Sequence, residues 1–87
     1  MPSCRATVVN PLGLHARAAA RFVRLAARFG SGIQVTRGDR RVDGKSILGL
    51  LLLSAARGAV LDISAEGRDA DAAVDALRSL VARGFEE

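Results

Sequence analysis

The single histidine of this 87-residue chain stands where a glycine-containing loop passes into a stretch with helical periodicity. Two sets of side chains recur at helical spacing after it. The apolar set is Ala19, Phe22, Val23, Ala26 and Phe29, and the basic set is Arg17, Arg21, Arg24 and Arg28. The spacing predicts an amphipathic helix with a basic outer face from Ala16 onward. Gly13 relaxes the backbone before this helix, and Gly30 and Gly32 offer left-handed conformations after it. His15 should therefore lie at or next to the N-cap.

A histidine at a helix N-terminus lies beside a place that favours anions. The first backbone N–H groups of a helix have no internal partner, and the aligned peptide dipoles place partial positive charge there. We therefore expect a neutral His15 imidazole, which keeps a free lone pair that could accept a phosphoryl group. The guanidinium of Arg17 could hold phosphate oxygens with its planar fork of donors. The residues alone leave an alternative open, because most single histidines at helix starts are caps or surface residues.

The order Asn-Pro-Leu-Gly-Leu-His-Ala-Arg, residues 10–17, resembles the active-site signature of the HPr family, the histidine-containing phosphocarriers of the bacterial phosphoenolpyruvate-dependent phosphotransferase system. The resemblance implies a carrier and co-substrate rather than an enzyme. Enzyme I would pass a phosphoryl group to His15, expected at Nδ1, and the carrier would deliver it to an enzyme IIA protein. The backbone N–H groups of Ala16 and Arg17, with the Arg17 side chain, would stabilise the group.

One residue of this segment departs from the family pattern. Most members have proline after the arginine, and this chain has Ala18. Proline is tolerated in a first helical turn because its missing N–H would be unpaired there anyway. We therefore expect the alanine to loosen the phosphate site slightly and to remove no chemical group.

The rest of the chain reads as four strands and two further helices. Alternating apolar residues predict strands at 5–9, 33–37, 40–42 and 60–65, and helical spacing predicts helices at 47–54, with Gly58 as a stop, and from Asp69 to Gly84. Strands that alternate in this way have one solvated face, so the helices should cover the other. We predict one α+β domain over residues 1–87, an open-faced β-sandwich. The resemblance adds antiparallel strands in the spatial order 1-4-2-3.

The helix at 47–54 is too apolar to bury every leucine against one sheet. If Leu50 and Leu53 face the core, other apolar residues lie on or near the opposite side. Either the helix is buried on all sides, or its outer residues form a docking patch. The resemblance favours docking, together with the first turns of the histidine helix. The expected docking residues are Ala20, Arg21, Arg24, Ile47, Leu48 and Leu51.

Ser46 precedes this second helix and is a natural N-cap. The segment from Gly44 to Gly49 also resembles the regulatory serine segment of family members that a dedicated HPr kinase phosphorylates. A phosphate there would add about −1.5 to −2 charges beside the docking patch and His15. We expect this modification to weaken docking to an acidic enzyme I.

Composition narrows the remaining possibilities. Hydrophobic residues at 49% and charged residues at 25% are typical of a soluble globular protein, and the N-terminus lacks the apolar stretch of a signal peptide. We expect a cytoplasmic monomer without cofactor, metal or membrane insertion. The net charge of +4 raises the possibility of nucleic-acid binding, but the chain has no Trp or Tyr to stack on bases. A regulatory module that uses only Ser46 remains an alternative, and the sequence does not separate a sugar-uptake branch from a nitrogen-type regulatory branch.

Overall fold

Strands and helices alternate in the predicted order. The structure, a computed structural model, describes all 87 residues. Its elements are β1 (Ser3–Thr7), α1 (Ala16–Ala26), β2 (Gly32–Arg37), β3 (Arg40–Asp43), α2 (Ile47–Leu52), β4 (Val60–Glu66), α3 (Ala70–Ala82) and a 3-10 turn (Gly84–Glu86). The four strands form one antiparallel sheet in the order β1-β4-β2-β3. The predicted α+β open-faced sandwich and its strand order are confirmed. None of the helices combines the length and the apolar character that crossing a membrane requires.

Side-chain alternation separates the two faces of the sheet. The strand residues that point towards the helices are Ala6, Ile33, Val35, Leu61, Ile63 and Ala65, all of them buried. The opposite face is polar, and Arg5 there lies 3.3 Å from Asp62 on the neighbouring strand. Because strand side chains alternate with a period of two, this pattern also fixes the register of each pairing.

The helix that follows His15 turns its small residues into the hydrophobic core and packs beside α2 and α3. Ala18, Ala19, Phe22 and Ala26 are wholly buried, whereas Val23 and Phe29 are only partly buried against the same core. Alanine brings the helix backbone close to its neighbours, and Phe22 fills the space beneath. The predicted inner face is thus confirmed, with Ala18 added to it.

The predicted end of this helix is wrong. The helix ends at Ala26, and neither Gly30 nor Gly32 adopts a left-handed conformation. The carboxylate of Asp69, at the start of α3, accepts the N–H groups of Gly30 and Ser31 at 3.0 Å and the Ser31 hydroxyl. These bonds are incompatible with a longer helix. In an α-helix the N–H groups point along the axis towards carbonyls four residues earlier, so they could not also point at Asp69.

Two other predicted boundaries are also displaced. The first strand runs from Ser3 to Thr7 rather than over 5–9, because its pairing with β4 begins at Ser3 opposite Ser64 and ends at Thr7 opposite Val60. The second helix ends at Leu52, well before Gly58. The last carbonyl groups of a helix have no partner within the helix, and here two arginines of the β2–β3 hairpin bind them. Arg37 Nη1 donates to Leu53 O at 3.1 Å, and Arg40 Nη1 donates to Leu52 O at 2.6 Å.

Gly13 fixes the loop that leads to His15. Its φ of 67° lies in the left-handed region, which glycine adopts without a steric penalty, and an added Cβ would lie 2.6 Å from the carbonyl oxygen of Ala55. The next residue confirms the close approach, because Leu14 N donates to the same oxygen at 2.9 Å. The loop before the histidine is therefore held against the segment that follows α2.

We predict that Gly13→Ala lowers the free energy of unfolding by about 2–4 kcal/mol, because left-handed strain and a steric clash add. Gly38→Ala is the matched control. Gly38 has a φ of 62° with nothing within 4 Å of an added Cβ, so only strain of about 1 kcal/mol is expected. Urea denaturation of both variants measures the difference. Equal losses would contradict the proposed close approach.

Candidate functional site

His15 is the N-cap of α1, as predicted. Its backbone is extended, with φ −83° and ψ −178°, and its Nδ1 accepts the backbone N–H of Arg17 at 3.3 Å. Its own carbonyl accepts the N–H of Ala19, which is the first bond of the helix. The imidazole remains 25% exposed. One ring nitrogen therefore faces the positive end of the helix while part of the ring stays open to solvent.

The other ring nitrogen contacts a carboxylate that sequence analysis did not identify. His15 Nε2 is hydrogen bonded to Glu87 Oε2, and Asn10 Nδ2 donates to Glu87 Oε1 at 2.7 Å. Asn10 Nδ2 also donates to Gly13 O at 2.7 Å. The Asn10 side chain thus ties the loop before the histidine to the carboxylate beyond it, and it is itself buried. These contacts orient the ring from its Nε2 side.

A turn after α3 brings Glu87 to this position. Gly84 and Phe85 both have positive φ, at 67° and 58°, and the Phe85 side chain is wholly buried. Arg21 Nη1, from α1, donates to Phe85 O at 2.8 Å. The prediction that Gly84 closes the last helix is confirmed. The return of the chain to the histidine was missed, because nothing in the local sequence after Gly84 indicates a long-range contact.

The proton positions follow from the charge on Glu87. Burial alone would raise the pKa of this carboxyl, but hydrogen bonds from Asn10 and His15 and the nearby charges of His15 and Arg17 lower it below the ordinary value of 4.5. An ionised carboxylate only accepts hydrogen bonds, so Nε2 carries the hydrogen. Nδ1 accepts the Arg17 N–H and therefore carries a lone pair. A neutral ring with its hydrogen on Nε2 satisfies both contacts.

The remaining residues predicted to hold phosphate are available on the surface. Arg17 and Ala16 are exposed, and the Arg17 guanidinium makes no hydrogen bond or ion pair within the chain. Its positive charge is nevertheless close enough to contribute to the lowered pKa of Glu87. Ala18 is wholly buried in the core, so its methyl group packs inward and does not line the surface around the ring.

The predicted outer residues of α2 are exposed, and the alternative of a fully buried helix is wrong. Ile47, Leu48 and Leu51 are 41%, 69% and 36% exposed, while Leu50 and Leu53 are buried. Two exposed leucines were not predicted: Leu52, on the same helix, and Leu12, in the loop before His15.

The basic side of the expected docking surface lies on α1, which packs beside α2. Arg24 is exposed, and Ala20 and Arg21 are half-buried. Ser46 is the N-cap of α2, as predicted, with its Oγ accepting the N–H of Gly49 at 3.0 Å. Its side chain is only partly buried, so the hydroxyl combines a structural bond with access to solvent.

We predict that Asn10→Ala raises the pKa of Glu87 towards 4.5, because a donor to the charged form is lost. Carbon-detected NMR titration of the Glu87 side chain measures this change. Gln34→Ala, which removes an amide from an exposed position on β2, is the control and should leave the titration unchanged. A Glu87 titration that is identical in the Asn10 variant and the wild type would show that Asn10 does not stabilise the carboxylate.

Comparison with known proteins identifies the family to which this chain belongs. The family model described as "PTS HPr component phosphorylation site" matches residues 2–83. The phosphocarrier protein HPr of Neisseria meningitidis serogroup A is 45% identical over 80 residues, which are 92% of this chain and 90% of that protein. The HPr of Pseudomonas aeruginosa is 43% identical over 88 residues and covers 100% of this chain and 98% of its own. The crystal structure of HPr-C-His from Thermoanaerobacter tengcongensis is similar with a TM-score of 0.95 and 40% identity, over 100% of this chain and 98% of that one. The chain therefore belongs to the HPr family and is a phosphocarrier of the phosphotransferase system rather than an enzyme.

Proposed function

We propose that His15 carries the phosphoryl group and that Nδ1 is the nitrogen to which it bonds. The observation that supports this most strongly is the pair of contacts on the ring. Glu87 accepts the hydrogen of Nε2, and the only partner of Nδ1 is a backbone N–H at a long distance of 3.3 Å. Nδ1 therefore has a lone pair that is directed at the helix N-terminus, where a phosphoryl group is electrostatically favoured.

The transfer is a displacement at phosphorus. The Nδ1 lone pair attacks the phosphorus of the phosphorylated donor, and the bond between phosphorus and the donor breaks, its electron pair remaining on the donor. Nε2 keeps its hydrogen, so the phosphorylated ring acquires formal positive charge, which the Glu87 carboxylate stabilises. The Arg17 N–H, released from the lone pair, can donate to a phosphoryl oxygen. The same contacts operate in reverse when the group leaves for the acceptor.

The side chain of Arg17 has a distinct role in this proposal. Arg17 is the second residue of α1, and its side chain is exposed and unpaired. It can therefore reach a phosphoryl group on the ring without first breaking an internal contact. A guanidinium can donate two parallel hydrogen bonds to phosphate oxygens. It thereby stabilises the negative charge of the phosphoryl group, which a neutral imidazole does not balance.

Enzyme I is the proposed donor and an enzyme IIA protein the proposed acceptor. The exposed leucines of α2 and the arginines of α1 form adjacent apolar and basic surfaces, which suits partners with an apolar contact region and acidic surroundings. We propose that the whole chain acts in the cytoplasm as one monomeric carrier domain, with Ala20, Arg21, Arg24, Ile47, Leu48 and Leu51 in the docking surface.

We predict that His15→Ala abolishes phosphorylation by enzyme I and phosphoenolpyruvate, whereas Arg17→Ala slows it by about tenfold or more, because a charge-assisted hydrogen bond is lost. Mass spectrometry under conditions that preserve acid-labile phosphate measures the label. Arg57→Ala removes another exposed and unpaired arginine and should not change the rate. A labelled His15→Ala protein that still passed its phosphoryl group onward would overturn the assignment of the acceptor.

Ser46 is the proposed regulatory position, modified by an HPr kinase in cells that contain one. We predict that Ser46→Asp weakens binding to enzyme I about tenfold, because a negative charge is placed at the edge of the docking surface. Ser46→Asn is the matched control, since asparagine and aspartate both cap helices and differ in charge. Calorimetric titration of both variants with enzyme I provides the comparison. Equal affinities of the two variants would argue against charge as the regulatory signal.

A further inference from the structure

A second cluster of basic side chains lies on the side of α1 that faces α3. A groove of about 410 Å³ runs between these helices, and its walls carry Arg21, Arg24, Arg28 and Arg83. Leu25 and Leu80 supply apolar surface between the arginines. Neither His15 nor Arg17 lines the groove, so it is separate from the proposed phosphoryl acceptor site, although it shares Arg21 and Arg24 with the proposed docking surface.

The positive charge of this groove is not neutralised within the chain. Four arginines face a single acidic residue, Glu86, and none of the four forms an ion pair. Arg21 makes one hydrogen bond, to Phe85 O, while Arg24, Arg28 and Arg83 make none. By contrast, Arg5 and Arg78 each lie against an aspartate. A basic residue at the C-terminal end of each helix is expected, because it interacts favourably with the helix dipole. This effect does not explain why four arginines line the same groove.

The chemistry of the groove suits a compact anion with several oxygens. Guanidinium groups match the geometry of phosphate oxygens and can bind them in pairs, and four of them exceed what a single phosphate needs. The groove is open to solvent, and its volume is sufficient for a small anion.

We propose that this groove is a binding site for a small molecule that carries a diphosphate group, free as pyrophosphate or attached to a nucleoside. Arg28, in the turn that follows α1, and Arg83, the C-cap residue of α3, hold the anion from the ends of the two helices, and Arg24 contributes a third guanidinium. Arg21 remains bonded to Phe85 and bounds the groove on the side of the 3-10 turn.

The test is an NMR titration of the isotopically labelled full chain with pyrophosphate at constant ionic strength, following backbone amides and arginine Nε–H signals. We expect saturable shifts at Arg24, Arg28 and Arg83. The double variant R28Q/R83Q should weaken binding at least about tenfold, and the matched double variant R57Q/R68Q, which removes the same charge from two exposed and unpaired arginines elsewhere, by less than about twofold. Titration with adenosine diphosphate distinguishes the two sources, since tighter binding than pyrophosphate would indicate a nucleotide.

Several results would overturn the proposal. Equal weakening in both double variants would show a diffuse effect of net charge. Shifts confined to residues 15–17 would place the anion at the histidine alone. Orthophosphate or a glutamate peptide binding as tightly as pyrophosphate would remove the diphosphate assignment. The R28Q/R83Q protein should still be phosphorylated by enzyme I at the wild-type rate, which shows that it is folded and that Arg28 and Arg83 are not needed for docking. A slower rate would instead assign these two arginines to the protein interface.

Discussion

Two hydrogen bonds fix the His15 ring, and the proposed phosphoryl transfer depends on both of them. One joins Nε2 to a carboxylate, and the other joins Nδ1 to a backbone N–H. A free histidine side chain exchanges its hydrogen between Nδ1 and Nε2 and rotates, so it does not always present the same nitrogen to a partner. The carboxylate removes this ambiguity, because Glu87 can only accept. The helix terminus then gives the exposed lone pair a location where an anion is favoured.

The helix α2, which we propose for docking, depends on contacts with residues outside it. A helix of six residues is not stable by itself, and α2 leaves four of its apolar side chains exposed. Its first turn is capped by the Ser46 hydroxyl, and the carbonyls after its last turn are bonded by Arg37 and Arg40 of the hairpin. Leu50 and Leu53 anchor it to the core. Polar anchoring at both ends allows the outer leucines to remain exposed without loss of the helix, which a recognition surface requires.

The sequence predicted the features that depend on short-range interactions. Alternation placed the inward residues of the sheet, and the His15 and Ser46 caps follow from short-range preferences for side chains at helix starts. The errors have a common cause. The end of α1 is set by Asp69, thirty-eight or more residues away, and the end of α2 by arginines of the preceding hairpin. Glu87 reaches the histidine across seventy-two residues of sequence. No periodicity encodes such contacts, because each depends on the assembled fold.

A carrier must hold its cargo through diffusion and release it on contact, and the site offers a physical basis for both. In the proposed mechanism, phosphorylation of Nδ1 replaces a weak contact with the Arg17 N–H by a covalent bond and leaves the ring positively charged, which makes the ring a good leaving group. The Glu87 carboxylate lowers the energy of that charged ring, and therefore moderates its tendency to leave. The strength of this stabilisation is controlled in turn by Asn10, which shares the carboxylate and also holds the loop before the histidine. Because the stabilising group lies on the Nε2 side, it acts on the ring while Nδ1 stays open to either partner protein.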